Sequence, residues 1–212
     1  MNNLNSTLLR YKFRFLLASI LLVLAVLSFP QPDLLLELGS ILFMVLAGLN
    51  TVRFHNRLAQ AISVAGVVSL LLLFIPNEWS LNPVLRLGIP QIIFFLLLAF
   101  SIFHRVTQER PVTSELFYGL CALYLNFSLA FALAYNLIEG LFPNSFQSSF
   151  DQLGLDKFVY FSMITLTTIG YGDVSPVHPL ARLLAGLEAI MGVLFTALVV
   201  ARVLSLMDDS RE

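Results

Sequence analysis

Residues 168–173 read Thr-Ile-Gly-Tyr-Gly-Asp, and this hexapeptide decides how the rest of the chain is interpreted. Its two glycines stand two residues apart, and glycine allows backbone angles that other residues resist. The preceding residues 156–167 predict a short helix with Asp156 as its N-cap. Such a helix is about 18 Å long, roughly half the thickness of a membrane. The pattern therefore predicts a re-entrant segment, in which a half-length helix is followed by extended backbone that returns to the same side.

The composition of the chain indicates a protein embedded in lipid. Of its 212 residues, 58% are hydrophobic and 12% are charged, which is about half the charged share of a soluble domain. The net charge is −1 and the arginines are scattered, so nucleic-acid binding is not indicated. The single cysteine, Cys121, lies in an apolar run and cannot form an intramolecular disulfide. Membrane lipids are the expected surroundings, and no soluble partner or cofactor is indicated.

Six apolar segments predict six transmembrane helices, because a chain in lipid must satisfy its own backbone hydrogen bonds. They cover residues 13–29, 34–49, 58–75, 87–103, 115–138 and 178–206. The basic residues before the first segment also fit a signal peptide, but no small-residue cleavage site follows, which favours an uncleaved helix. The predicted fold class is an all-α membrane protein with six transmembrane helices plus the re-entrant helix and its loop.

The distribution of Lys and Arg predicts the orientation in the membrane, because positive residues concentrate in cytoplasmic loops. If the N-terminus is cytoplasmic, Arg86, Lys157 and Arg182 lie outside. The other nine then lie on the cytoplasmic side, namely Arg10, Lys12, Arg14, Arg53, Arg57, Arg105, Arg110, Arg202 and Arg211. We expect a multi-pass protein of the plasma or inner membrane, with both termini cytoplasmic and the re-entrant segment reached from outside.

The hexapeptide, placed between a short helix and a long apolar helix, resembles the selectivity filter of potassium channels, in which Val is common where Ile169 stands. The resemblance covers about residues 114–206, the two-helix pore module. It implies a channel that conducts K⁺ passively, with K⁺ as the permeant ion and no cofactor. The implied ion ligands are the backbone carbonyls of Thr168, Ile169, Gly170 and Tyr171, and Gly172 completes the filter. One chain supplies a quarter of each ring of ligands, which implies a fourfold homotetramer.

The same resemblance implies roles for residues around the filter. They are Tyr160, Thr167, Asp173 and Glu188 as filter support, Gly192 as gating hinge, Val193, Thr196 and Val200 as cavity lining, and Ala201, Leu204 and Ser205 near the cytoplasmic constriction. Many relatives carry a Glu where Ile164 stands, and that Glu can bond the Asp after the filter. Because Ile164 cannot do so, we expect the Tyr160 hydroxyl alone to hold Asp173.

Some of these residues allow other interpretations. Gly192 suits close packing of membrane helices as well as a hinge. Glu188 is an ionisable residue in an apolar helix, which marks a functional candidate. It could bond the back of the filter or of the re-entrant helix, or it could be a structural pair or a protonated buried acid. Gly-Tyr-Gly-Asp could also be an ordinary turn, although a turn does not require Thr167, Thr168 and Ile169 before it.

The chain divides into two predicted domains. By the resemblance, residues 112–212 form a potassium channel pore domain, and residues 1–111 form a four-helix transmembrane domain in the position of a voltage sensor. A voltage sensor carries several Arg or Lys on its fourth helix, whereas residues 87–103 contain no charge. Voltage sensing is therefore not implied, and we expect little voltage dependence.

Other functions fit the sequence less well. A poorly selective cation channel would not need the complete filter string. Potassium transporters with related filters generally carry four degenerate copies in one long chain, whereas this chain has one good copy. A membrane enzyme is not indicated, because His55, His104 and His178 are scattered and have no cysteine partner.

Overall fold

The computed structural model describes residues 11–28, 34–51, 57–73, 83–108 and 114–208. Its helices are α1 (Lys12–Leu27), α2 (Leu34–Thr51), α3 (Arg57–Leu73), α4 (Pro83–Gln108), α5 (Ser114–Leu141), α6 (Leu155–Leu166) and α7 (Pro179–Asp208). The strands β1 (Phe146–Ser148) and β2 (Val174–Pro176) pair antiparallel on either side of α6 in the chain. Arg10, Arg53, Arg110 and Arg211, which entered the predicted orientation, lie outside the described residues.

Each of the six predicted apolar segments corresponds to a helix, and the re-entrant segment corresponds to α6. Among the described residues, two stretches are long and apolar enough to cross a membrane, Glu115–Leu141 of α5 and Pro179–Ala201 of α7. The apolar stretches of α2, α3 and α4 are shorter, at Gly39–Gly48, Gln60–Ser69 and Gly88–His104. Two membrane-spanning helices are thus supported by length and composition, and the number of six stays a prediction.

The all-α prediction was wrong in one detail, the ribbon formed by β1 and β2. Phe146 lies opposite Pro176, and Ser148 lies opposite Val174. Three-residue strands are too short to show an alternating pattern, and Pro176 lacks the N–H that a central strand would need. The ribbon continues in a hydrogen bond from the Ser149 amide to the Asp173 carbonyl at 2.9 Å. It therefore fixes the chain at the point where it leaves the predicted filter.

The predicted N-cap of the short helix was also wrong. Helix α6 begins at Leu155, and its N-cap is Gly154, whose backbone is extended and which makes no side-chain cap bond. Asp156 instead lies in the first turn, where a carboxylate still interacts favourably with the helix dipole. Its Oδ2 lies 3.0 Å from the Nζ of Lys157. The helix ends as predicted near Thr167, which is the C-cap.

Helix α5 is the central element of the packing, because it contacts α1, α4, α6 and α7. The buried Asn126 of α5 donates from Nδ2 to the Phe95 carbonyl of α4 at 2.9 Å. At the start of α5, Glu115 Oε1 lies 2.5 Å from Arg14 Nε of α1. Close to the other end, the buried ring of Tyr135 packs edge-on against Phe146 at 5.5 Å between centroids. Helices α1 and α4 therefore pack against the C-terminal part of the chain mainly through α5, and α1 also contacts α6.

Helix α7 is apolar on nearly all sides and is poorly covered by its own chain. Only 11% of its apolar stretch, within Pro179–Ala201, is buried against the rest of the chain. The exposed side chains include Leu183, Leu187, Ile190, Leu194 and Leu198. A surface of this kind needs lipid or another apolar protein surface against it.

Helix α7 crosses α6 at Gly192. A methyl group at this position would overlap the carbonyl oxygen of Leu166, the last residue of α6. Small residues allow two helix backbones to approach in this way. Of the two interpretations of Gly192, close packing is present in the structure, and the hinge stays a prediction.

We expect Gly192→Ala to push α7 away from α6, because the new methyl group meets a backbone atom that cannot rotate aside. Overpacking of this kind typically costs about 1–3 kcal/mol. The apparent melting temperature and folded yield of the detergent-solubilised protein measure the effect. Gly186→Ala is the matched control, since a methyl group there meets no atom of the described chain within 4 Å. Equal stability of the two variants would contradict this packing.

Candidate functional site

The site is built on α6, which lies between α5 and α7. Its buried face carries Phe158, Phe161 and Ile164, and Phe158 has no exposed surface. The rings of Phe158 and Phe161 pack against Phe146 of the ribbon, at 4.9 and 5.7 Å between centroids. Burial of these aromatic rings holds the helix rigidly behind the segment that follows it.

The backbone after α6 follows an alternating pattern. Thr168, Gly170 and Gly172 have positive φ angles of 59°, 55° and 83°. The amides of Ile169 and Gly170 both donate to the Ile164 carbonyl, at 2.8 and 3.1 Å. A left-handed residue at every second position turns the peptide planes so that successive carbonyls can face the same side, which uniformly extended backbone does not allow. Thr168 adopts this conformation without being glycine, so the surrounding structure must hold it there.

The side chains of this segment are largely exposed and do not pack against the rest of the described chain. The side chains of Ile169 and Tyr171 are 54% and 70% exposed. A methyl group built on Gly170 or Gly172 meets no atom of the described chain within 4 Å beyond the adjacent residues. A methyl group on either glycine would therefore be excluded by its φ angle and not by a neighbour within the described chain. The glycines are required by backbone geometry.

Asp173 is held at the end of this segment by the contact expected from the sequence. The Tyr160 hydroxyl donates to Asp173 Oδ2 at 2.7 Å. This hydrogen bond raises the pKa of Tyr160 to about 12, because it stabilises the protonated phenol. Tyr160 does not act alone, however, because the Val174 amide donates to Asp173 Oδ1 at 3.1 Å. Ile164 is buried and offers no polar group, as expected.

Glu188 of α7 is fully buried and lies behind α6. It accepts a short hydrogen bond from the Ser162 hydroxyl of α6 and one of 2.5 Å from the Tyr135 hydroxyl of α5. Ser162 Oγ also lies 2.9 Å from the Ser128 carbonyl. Of the interpretations left open by the sequence, the structure has the bond to the back of the helix, and the bonding groups lie on α5 and α6. This network joins three helices around one carboxyl group.

An open depression of about 740 Å³ lies beneath the filter segment. The predicted cavity residues Val193, Thr196 and Val200 all line it, together with Thr167 and Thr168. Ala201, predicted near the constriction, also lines it. Leu204 and Ser205 belong to α7, but their side chains lie outside the part of the chain that the structure describes. The structure thus brings Thr167 and Thr168, at the start of the predicted filter, onto one surface with the three predicted cavity residues.

Sequence reasoning missed several residues of the site, among them Tyr124, Tyr135 and Ser162. Each is a helical residue whose side-chain hydroxyl donates a hydrogen bond to a residue far away in the sequence. The sequence separations are 42, 53 and 26 residues, respectively. No local pattern marks such a residue, although a hydroxyl in an apolar helix is itself a signal that a partner exists.

Metal chemistry has no support in the described residues, where no group of three or more His, Cys, Asp or Glu lies together.

Comparison with known proteins agrees with the position of this site. Residues 119–209 match a protein-family model described as "Ion channel". The matched part includes most of α5, all of α6, the segment after it, and α7. No curated protein and no solved structure matches the chain. The match covers a little under half of the chain, and it supports a pore domain of the potassium-channel type over residues 119–209.

Proposed function

We propose that this chain is a subunit of a potassium-selective channel that conducts K⁺ passively across the cell membrane. The observation that carries the proposal is the alternation of positive φ angles at Thr168, Gly170 and Gly172. A K⁺ ion that loses its water needs a cage of oxygen atoms to replace it. In the proposal, the backbone carbonyls of residues 168–171 supply successive rings of that cage, and the Thr168 hydroxyl closes the innermost one.

Two features of α6 support a cation at this place. The C-terminal end of a helix carries partial negative charge. Helix α6 ends at Leu166 beside the depression lined by Thr167 and Thr168. A cation in the depression would therefore lie near the favourable end of the helix dipole. None of the described residues that line the depression is charged, so no side-chain charge there opposes the effect of the helix dipole.

A homotetramer would complete the filter. Each chain has one copy of the hexapeptide, and four copies about a fourfold axis would close each ring of carbonyls. The exposed apolar surface of α7 and the exposed Tyr171 and Ile169 would then lie against neighbouring chains or lipid. The bundle would sit in the plasma or inner membrane with both termini cytoplasmic.

We expect the mass of the detergent-solubilised complex to correspond to four chains, because fewer copies cannot enclose an ion with carbonyls. Native mass spectrometry, or light scattering corrected for bound detergent, measures it. A functional unit of one or two chains would contradict the proposed assembly.

We expect Gly170→Ala to abolish K⁺ selectivity or conduction, because an L-residue resists the φ angle of 55° found there. The measurement is the reversal potential with K⁺ on one side and Na⁺ on the other side of a planar bilayer. The control is Gly39→Ala on α2, where a methyl group meets no atom of the described chain within 4 Å.

A wild-type channel that passes Na⁺ as readily as K⁺ would support the alternative of a poorly selective cation channel. K⁺ movement that needs a second, co-transported ion would support a transporter. The same recordings, extended over about ±100 mV, should show open probability nearly independent of voltage, since steep gating needs several charges per subunit and residues 87–103 carry none.

Filter support is proposed for Tyr160, Asp173, Thr167 and Glu188. Tyr160→Phe removes the hydroxyl that donates to Asp173 Oδ2 and keeps the ring. We expect the variant to enter a non-conducting state severalfold faster under sustained K⁺ current, because the exit of the filter has lost one of its ties. Tyr118→Phe, on α5, makes the same chemical change far from the filter. Unchanged inactivation in Tyr160→Phe would count against this role.

A further inference from the structure

The last carbonyl of α6 has an unusual partner. The final carbonyls of a helix lack partners within it. In α6, those of Met163, Ile164 and Thr165 accept bonds from backbone amides of residues 167–170. The Leu166 carbonyl instead accepts a hydrogen bond of 3.0 Å from the Tyr124 hydroxyl of α5. The residue directly before Thr167 and Thr168 is therefore tied to a side chain of another helix.

Residues of α7 contact both the Tyr124 ring and the Leu166 carbonyl, the two partners of this hydrogen bond. The Tyr124 ring packs against Phe195, with centroids 5.2 Å apart. Gly192 lets α7 approach so closely that even a methyl group would overlap the Leu166 carbonyl oxygen. Helices α5, α6 and α7 thus meet at a single carbonyl. Tyr124, Leu166 and Gly192 also line the depression beneath the filter, together with Thr167 and Thr168.

We propose that Tyr124 is a positioning residue for ion conduction, which holds the Leu166 carbonyl and through it the first residues of the filter. This inference rests on the proposed function. Thr168 must keep a left-handed backbone without being glycine, so the turn before it has to be fixed from outside. Without the hydroxyl, the Leu166 carbonyl turns toward water in the depression, and Thr167 and Thr168 lose a fixed starting point.

Tyr124→Phe tests the inference, because it removes the hydroxyl and retains the ring that packs on Phe195. One hydrogen bond of ordinary net strength corresponds to about a fivefold change in an equilibrium between two states. We expect the ratio of conducting to non-conducting time in single-channel records to fall by about that factor. Tyr118→Phe on the same helix is the matched control, and its behaviour should equal that of the wild type.

A second measurement does not depend on conduction. In proteoliposomes, a ¹³C label on the Leu166 carbonyl reports its hydrogen bond in solid-state NMR spectra. We expect this resonance to move in Tyr124→Phe and to stay in place in Tyr118→Phe. If Tyr124→Phe does not assemble, 3-fluorotyrosine at position 124 keeps the shape and makes the hydroxyl a stronger donor. The resonance should then move in the opposite direction, and conducting time should rise.

The outcomes separate this inference from the proposed function. A wild type that conducts K⁺, with a moved resonance and less conducting time in the variant, supports the inference. A resonance that stays in place overturns it, and so does a moved resonance with unchanged conducting time. A wild type that carries no K⁺ current refutes the proposed function, and the conduction role of Tyr124 falls with it, whereas the resonance still decides whether Tyr124 holds Leu166.

Discussion

The structure depends on one constraint, which is that residues 167–173 must keep an irregular backbone with alternate left-handed residues. The amides of residues 167–170 bond to the last carbonyls of α6, but the segment itself continues neither as a helix nor as a strand. Thr168 has a left-handed backbone, which is less favourable for threonine than for glycine. Irregular backbone at membrane depth is tolerated only where protein or water covers it. The segment is therefore held at its two ends, at Leu166 by the contacts of α5 and α7 and at Asp173 by Tyr160 and the ribbon.

The polar groups behind α6 serve the same constraint. A buried donor or acceptor without a partner costs about 1–3 kcal/mol, so each hydroxyl and carboxyl of the Glu188 network specifies where its partner must lie. Glu188 bonds Ser162 and Tyr135 at once, and only one placement of α5, α6 and α7 satisfies both bonds. Apolar packing alone would leave the helices free to slide, because lipid tails are as apolar as the packed side chains. The network therefore fixes how far α5, α6 and α7 are shifted along their axes relative to one another, which apolar packing alone does not fix.

The sequence predicts what is encoded locally and misses what is encoded across the chain. The helices follow from apolar length, and the positive φ angles of Gly170 and Gly172 follow from the spacing of the glycines in the hexapeptide, whereas its function as a filter stays a prediction. The ribbon escaped because its two strands, Phe146–Ser148 and Val174–Pro176, are three residues each and are separated by α6. The N-cap was predicted two residues too late, at Asp156 instead of Gly154, because an Asp in the first turn and a capping Asp look alike in sequence. Tyr124 is one tyrosine among six, and only its distance to Leu166 distinguishes it.

Helix α5 links the helices that precede it to the segment after α6. Tyr124 and Asn126 stand two residues apart, so they point to nearly opposite sides of the helix. On one side Tyr124 bonds the Leu166 carbonyl at the end of α6, and on the other Asn126 bonds the Phe95 carbonyl of α4. Arg14 of α1 adds an ion pair with Glu115 at the start of the same helix. A rotation of α5 that breaks one of these bonds must strain the other, because a helix turns as a rigid body over two residues. Contacts with α1 and α4 therefore hold α5 at one angle, and this angle sets the position of Tyr124 relative to Leu166.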